Sequence, residues 1–215
     1  VTGVQTCALP ISHGPHVHCN QLGIPGNVAT TLDTLRAFEN RRVHLTHLQF
    51  HAYAKNSHGS LLSGAAQLCD YINAHPNVTA DVGQVMFGDA FTLSADTPLE
   101  YTLWKLTGKS TRPYFSIEGE LETGCGAMPI SYSDTNYVHA MQWAIGLELM
   151  LLCNDPWRML LSTDHPNGAS FLTYPRIIAA LMNKAVRDEQ IKTANPRAMS
   201  RSALKSITQI GRAHV

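Results

Sequence analysis

The sequence has no excess of charge of either sign and no long uncharged apolar run. Its 16 lysines and arginines balance its 16 aspartates and glutamates, and no block of one sign indicates binding to nucleic acid or to an anionic lipid surface. The nearest candidate for a membrane span, residues 138–152, contains His139, Gln142 and Glu148. We therefore expect a buried helix there, with no membrane and no nucleic acid among the partners.

Paired cysteine motifs are also missing. The chain has five cysteines, and none of them forms a C-x-x-C pair. This pattern argues against a disulfide framework or a thiolate metal site and favours a reduced, cytoplasmic protein.

Both ends of the chain resemble translated sequencing-adapter DNA. They read VTGVQTCALPI over residues 1–11 and IGRAHV over residues 210–215. Codons chosen for residues 6–11, reverse-complemented and read one frame over, give Ile-Gly-Arg-Ala-His. We therefore expect residues 1–12 and 210–215 to be non-native and the gene to be truncated on both sides, with 192–209 a partly disordered C-terminal edge.

Strand and helix signals alternate between these ends. Four short runs predict strands: the strand-like runs at residues 15–18 and 42–47, the β-branched, alternating run at 77–82 and the apolar run at 157–161. Apolar residues at helical spacing predict helices at residues 28–39, 60–74, 136–152 and 174–187. Polar loops are predicted at residues 20–27 and 53–59, and a long insertion at 83–134.

Such alternation predicts an α/β fold with a parallel sheet covered by helices. Four strand–helix units are about half of an eight-unit barrel. An open doubly wound sheet is the alternative, but no Gly-rich phosphate loop follows any strand. We therefore predict a partial (β/α)8 barrel over residues 13–191.

Histidine is unusually frequent, with 11 residues, which indicates metal or acid–base chemistry. The first predicted strand ends in His16 and His18, whose side chains share one face because strand residues alternate. The second contains His44 and His47, which should face oppositely, so that only one of them points into a site. The carboxyl ends of neighbouring parallel strands gather ligands, so these residues are candidates for a common site.

Asp164 and His165 follow the last predicted strand, in the run STDHPNG. An aspartate at that strand end can join histidines from neighbouring strands. Histidine nitrogen and carboxylate oxygen suit a catalytic zinc, which lowers the pKa of bound water towards neutrality. For His165, packing against the loop and contact with a substrate remain equal alternatives.

Three short motifs resemble those of the amidohydrolase superfamily, metal-dependent hydrolases built on a β/α barrel. His18 in VHCN, His47 in THL and Asp164 in TDHP are similar to the signatures of its fifth, sixth and eighth strands. Longer runs, including HVHCNQLGIPGN, RVHLTHLQFHAYA and LLSTDHPNGASFLTYPRIIAALM, resemble the A subunits of formylmethanofuran dehydrogenases and of bacterial formyltransferase/hydrolase complexes. The similarity extends over residues 13–187.

The resemblance implies hydrolysis of the formyl amide of formylmethanofuran to formate and amine in bacteria, with the reverse reaction in archaea. It implies two zinc ions bridged by a carboxylated lysine, a methanofuran-type substrate and companion subunits in a hetero-oligomer. His18 and His47 would bind one zinc, and Asp164 would be both ligand and general base for the leaving amine. His16 and His44 are alternatives, either as ligands themselves or as hydrogen-bond partners that orient them.

Part of the implied site has no counterpart here. The first-strand H-x-H pair and the bridging lysine should precede His13; Lys55, in a predicted loop, and Lys105, in the insertion, do not match. We therefore expect the fragment to be inactive alone and poorly stable, with open strand edges.

Other residues near the motifs are candidates for substrate contact. Asn20, Glu120 and Glu122 belong to loops that could face a substrate, although a solvated surface explains the two glutamates equally well. Cys19 and Cys125 adjoin motif residues, but a metal-activated water makes a cysteine nucleophile unnecessary. Two further functions stay open: a noncatalytic scaffold for companion subunits, and an amidohydrolase that cuts a cyclic amide.

Overall fold

A four-stranded parallel sheet organises the part of the chain that the computed structural model describes, residues 14–94 and 126–208. Its strands are β1 (His16–Val17), β2 (Val43–Leu45), β5 (Val78–Asp81) and β8 (Met159–Leu160). They lie in the order β1-β2-β5-β8, and each adjacent pair is parallel. Since all four strands are parallel, their carboxyl ends lie at the same end of the sheet, as the sequence predicts.

The two faces of this sheet differ in polarity. Val17, Leu45, Ala80 and Met159 are aligned across the four strands and are all buried. They belong to one hydrophobic core with side chains of the surrounding helices. The neighbouring row, His16, His44 and Thr79, is polar and lies on the opposite face.

Helices fill the connections between the parallel strands: α1 (Val28–Ala37), α2 (Ala65–Ala74) and α3 (Tyr137–Leu152). The helices α4 (Tyr174–Met182), α5 (Lys184–Thr193) and α6 (Pro196–Met199) follow β8. The predicted buried helix is α3, which begins after Asn136, whose side chain accepts hydrogen bonds from Val138 N and His139 N. None of the helices among the described residues combines the length and apolarity that crossing a bilayer requires.

Two antiparallel pairs complete the described structure. β3 (Tyr53–Lys55) pairs with β4 (Leu61–Ser63), and β6 (Gly88–Ser94) pairs with β7 (Gly126–Tyr132). The first pair corrects the prediction of a loop over residues 53–59, because buried Tyr53 begins a strand and Lys55 ends it. The second pair forms the base of the insertion. Lys105, Glu120, Glu122 and Cys125, and both adapter-like ends, lie outside the described residues.

The C-terminal region differs from its prediction in two ways. The single helix expected over residues 174–187 is two helices, because Asn183 interrupts it and its side chain caps α5 by accepting from Ala185 N and Val186 N. Partial disorder over residues 192–209 is wrong for the described part. Helix α6 occurs there, and Met199, Leu204 and Ile207 are buried in the core.

Buried Glu148 of α3 joins this C-terminal segment to β4. Its carboxylate accepts a hydrogen bond from Ala203 N at 2.7 Å and another from Ser63 Oγ. Burial raises the pKa of Glu148 despite these hydrogen bonds. The folded protein therefore binds a proton at Glu148 more readily than the unfolded chain does.

Glu148→Gln should remove a pH dependence of stability. A raised folded-state pKa stabilises the fold fully below the ordinary value of 4.5, and this stabilisation is lost as the pH rises through the folded-state pKa. The melting temperature of the native protein, relative to that of Glu148→Gln, should thus fall as the pH rises from 4.5 towards neutrality. Exposed Glu39→Gln is the control. If the difference in melting temperature between the native protein and Glu148→Gln stays constant with pH, Glu148 does not have this effect on stability.

Candidate functional site

The imidazoles of His18 and His47 meet just beyond the ends of β1 and β2. His18 Nδ1 lies 2.8 Å from His47 Nε2, and the ring centroids are 4.7 Å apart. Burial, followed by the neighbouring charges of His47 and His16, lowers the pKa of His18. The two rings therefore share one hydrogen bond in which one nitrogen donates and the other accepts.

Asp164 lies in the same electrostatic environment. Burial raises the pKa of its carboxyl group, whereas His47 and the Asn167 amide lower it. That amide donates to Asp164 Oδ2 at 3.1 Å. The Asp164 backbone has φ 48°, in the left-handed region that aspartate tolerates better than most residues. The structure thus brings His18, His47 and Asp164 to one end of the sheet.

Gly83 separates His47 from Asp164. A Cβ on Gly83 would lie 2.6 Å from His47 Cβ and 3.5 Å from Asp164 Cβ, and its φ is +66°. Both the space and the backbone conformation require glycine. The close approach of these two predicted site residues therefore depends on the missing side chain at position 83.

Asp81, the last residue of β5, is a site residue that the sequence patterns did not single out. Its Oδ1 accepts hydrogen bonds from His47 N at 3.1 Å and from Ser162 Oγ, and its Oδ2 lies 3.3 Å from His44 Nε2. Burial alone raises its pKa, but the hydrogen bonds, led by that from His44, hold the pKa of Asp81 well below its usual range. An aspartate at a predicted strand end, in TADV, was the available signal.

The alternative ligands His16 and His44 form a second imidazole pair. Their rings stack at 5.2 Å with an interplanar angle of 27°. His44 Nδ1 lies 2.9 Å from Thr79 Oγ1, and its Nε2 faces Asp81, so both of its nitrogens have partners. His16 also lies 5.4 Å from the ring of His18, as their shared face predicts.

The expectation that His44 and His47 point to opposite sides is wrong. Regular alternation ends with β2 at Leu45, and His47 has φ 37° and ψ 51°, in the left-handed region. The ring of His16 lies against those of His44 and His18, and the ring of His18 contacts that of His47. His44 and His47 therefore belong to one group of imidazoles.

His51 extends the group of imidazoles behind His47. Its ring stacks on that of His47 at 5.2 Å and 25°, and it is fully buried. Burial, then the charges of His47 and His18, lowers the pKa of His51 to about 3. His51 is therefore neutral at physiological pH.

The remaining candidates lie at the periphery. His165 is exposed, with its ring 5.2 Å from the ring of Phe171, and Asn20 is exposed in the loop after β1. Glu120 and Glu122 lie outside the described residues. Cys19 is buried, and burial raises its pKa to about 11, so it is a thiol rather than a nucleophilic thiolate.

The histidine pair fits part of a metal site. Two nitrogens bound to one tetrahedral zinc lie about 3.3 Å apart for bonds of about 2.05 Å, close to the 2.8 Å observed. His47 Nδ1 is buried without a partner in the described structure. Across residues 14–94 and 126–208, however, no three His, Cys, Asp or Glu side chains are grouped to hold a metal. Asp164 lies close enough to the pair to interact electrostatically with both His47 and His18.

The sequence profile of the amidohydrolase family matches residues 5–213. The chain belongs to the amidohydrolase family. Amidohydrolases are usually metal-dependent, which agrees with the donor types assembled at the sheet edge.

Two relatives with names are similar to most of the chain. The chain is 42% identical to the A subunit of the formyltransferase/hydrolase complex Fhc of Methylorubrum extorquens over 202 residues, covering 92% of this chain and 36% of the relative. It is 42% identical to protein FwdA of Methanocaldococcus jannaschii over 192 residues, covering 84% of this chain and 33% of that protein. The resemblance to A subunits predicted from the motifs is confirmed. The chain spans about a third of the length of these relatives.

A solved structure is similar to the chain in its three-dimensional fold. The chain matches the crystal structure of the formyltransferase/hydrolase complex FhcABCD from Methylorubrum extorquens in complex with methylofuran, with a TM-score of 0.78 and 40% identity. The match covers 93% of this chain and 37% of that one.

Gly83→Ala should displace His47. Alanine there meets both a positive φ and a 2.6 Å approach to His47 Cβ, whereas Gly59, at φ +76°, has nothing within 4 Å of an added Cβ. Gly59→Ala should lower the free energy of unfolding by ~1–2 kcal/mol, and Gly83→Ala by at least ~3 kcal/mol. Denaturant unfolding of both variants tests this. Equal losses mean that the close contact has no energetic effect.

Proposed function

We propose that the chain is part of the A subunit of a formyltransferase/hydrolase or formylmethanofuran dehydrogenase complex. The reaction is hydrolysis of the formyl amide of a formylmethanofuran-type substrate to formate and amine, or its reverse in an archaeal host. The observation that carries the proposal is the meeting of His18, His47 and Asp164 at one sheet edge. It occurs in a chain 42% identical to the A subunit of the Fhc complex.

The four parallel strands are proposed to be strands 5 to 8 of a (β/α)8 barrel, of which residues 13–191 form only this part. Their sequential order and their apolar row packed against helices support this. The polar row of His16, His44 and Thr79 would then face the barrel interior. The outer edges of β1 and β8, the first and last strands of the sheet, would pair with strands from the rest of the subunit.

Two zinc ions are proposed for the complete subunit. His18 and His47 would hold one of them, and Asp164 would approach it from the end of β8. The first-strand histidines and the bridging carboxylated lysine would come from the rest of the subunit. When bound, zinc activates water at neutral pH and polarises the formyl carbonyl.

Asp164 is proposed to move the proton. During hydrolysis the water oxygen bonds to the formyl carbon and the C–N bond breaks, while Asp164 takes the water proton and delivers it to the amine nitrogen. A carboxyl group whose pKa burial raises is suited to accepting and returning a proton. The Asn167 amide on Oδ2 fixes the orientation of the carboxylate.

The proposed setting is a hetero-oligomer in the cytoplasm. The matched structure contains a four-subunit complex with methylofuran, which supports companion subunits and a methanofuran-type ligand. The exposed residues Asn20 and His165 flank the site and are proposed contacts for that ligand, as are Glu120 and Glu122 of the insertion.

A noncatalytic scaffold is the second candidate. The observation in its favour is that the described residues include no three grouped metal donors. Against it, a scaffold does not require two imidazoles at 2.8 Å beside a carboxylate of raised pKa. A cyclic-amide hydrolase would use the same donors with a different insertion.

Asp164→Asn in the complete complex tests the function. We expect kcat to fall by about 10²–10⁴-fold with KM little changed, because the proton carrier is lost while substrate contacts remain. Removing the metal with a chelator should abolish formate release, and adding zinc should restore it. Asp89→Asn, at an exposed position on β6, is the matched control.

The substrate is tested in the same assay. Release of formate from a formyl amide of a furan-bearing amine supports the proposal, whereas preferential opening of a cyclic amide favours the other amidohydrolase activity. Unchanged turnover in Asp164→Asn excludes Asp164 from the reaction. Failure of the native complex to bind metal or hydrolyse either amide favours the scaffold.

A further inference from the structure

We propose that Asp81 is a positioning residue for the metal site: its carboxylate holds the backbone of His47 in the turn that directs the imidazole at His18. This inference rests on the metal-binding part of the proposed function. Asp81 contacts His47 through the main chain, so it acts on the candidate ligand without itself being one.

The conformation of His47 needs such support. Its φ of 37° and ψ of 51° lie in the left-handed region, which costs a non-glycine residue roughly 1–2 kcal/mol. The His47 amide donates to Asp81 Oδ1 at 3.1 Å. Two residues further on, Gln49 N donates to Val82 O at 2.9 Å. The turn is therefore fixed to the end of β5 by two consecutive residues of that segment.

The same carboxylate oxygen connects the turn to β8. Ser162 Oγ donates to Asp81 Oδ1, and it accepts a hydrogen bond from Gly83 N at 2.8 Å. Gly83 is the residue whose backbone lies between His47 and Asp164. Asp81 Oδ1 thus links the ends of β2, β5 and β8, where the candidate site residues of these three strands lie.

The second carboxylate oxygen of Asp81 contacts His44. Asp81 Oδ2 lies 3.3 Å from His44 Nε2, and the carboxylate is only slightly exposed, at 16%. A carboxylate accepts on both oxygens, whereas an asparagine side chain offers one acceptor and one donor. Replacing Asp81 by Asn therefore keeps the size but removes the charge and one acceptor, so the bonds to His47 and Ser162 become weaker and the contact with His44 requires His44 Nε2 to accept instead of donate.

Cobalt(II) binding to the complete complex tests the inference, since cobalt is a spectroscopic probe for zinc sites and needs no substrate. In Asp81→Asn we expect cobalt affinity to fall by about 10–100-fold, the usual effect of losing a partner that orients a ligand, and the visible absorption spectrum to change. Ser162→Ala removes the hydrogen bonds of Ser162 Oγ to Asp81 and from Gly83 N but keeps the charge and the bond to His47 N, so its loss of cobalt affinity should be smaller. Asp89→Asn should bind cobalt as the native complex does.

Hydrogen exchange of the metal-free complex provides a second measurement. The His47 amide should exchange faster in Asp81→Asn and Asp81→Ala than in the native complex or in Asp89→Asn, because its acceptor is weakened or lost. A positioning role predicts that this loss is confined to the turn around residue 47. If Asp81→Ala does not fold, Asp81→Asn and Ser162→Ala still give the comparison.

Two results overturn the inference. Native cobalt affinity and spectrum in Asp81→Asn mean that Asp81 does not position His47, and formyl amide hydrolysis by the native complex then still stands. An equal loss of cobalt affinity in Asp89→Asn means that the effect of Asp81→Asn does not come from the turn at His47. A native complex that neither binds cobalt nor releases formate overturns both the proposed function and this inference.

Discussion

The parallel register of the four-stranded sheet is the constraint on which the site depends. Because β1, β2, β5 and β8 are parallel and adjacent in chain order, the residues that follow them emerge on one side. His18, His47, Asp81 and Asp164 come from four separate parts of the sequence and meet there. If any one of these strands ran antiparallel to the others, the site residue that it carries would lie at the opposite end of the sheet.

Much of this arrangement could be predicted from the sequence because the signals were local. The strand-like runs at residues 42–47 and 77–82 marked strands, and parallel order follows from the helices between them. His18, His47 and Asp164 were found because each lies at or just beyond the end of such a run, in a motif that resembles the amidohydrolase signatures. Asp81 satisfied the same criterion but lacked a neighbouring histidine, so its importance emerged only from its hydrogen bonds.

The remaining features depend on contacts between distant segments. Pairing of β3 with β4 decides that Lys55 lies in a strand, although residues 53–59 have loop-like composition. The left-handed turn at His47 depends on Asp81, 34 residues away, so strand alternation gave the wrong facing for His44 and His47. Likewise, the polar C-terminal segment is fixed through buried Glu148, whose amide donor is 55 residues away in the sequence.

The hydrogen bond between His18 and His47 has a consequence for metal uptake. One of its two nitrogens carries the bridging proton, so a metal ion cannot bind both nitrogens until that ring changes tautomer and moves the proton to its other nitrogen. With both contacting nitrogens on a metal, the ring protons must lie on His18 Nε2 and His47 Nδ1. His18 belongs to an exposed strand end, whereas His47 Nδ1 is buried without a partner among the described residues. Filling the site therefore requires a proton shift within a ring rather than the loss of a proton to solvent, and it leaves a buried N–H at His47.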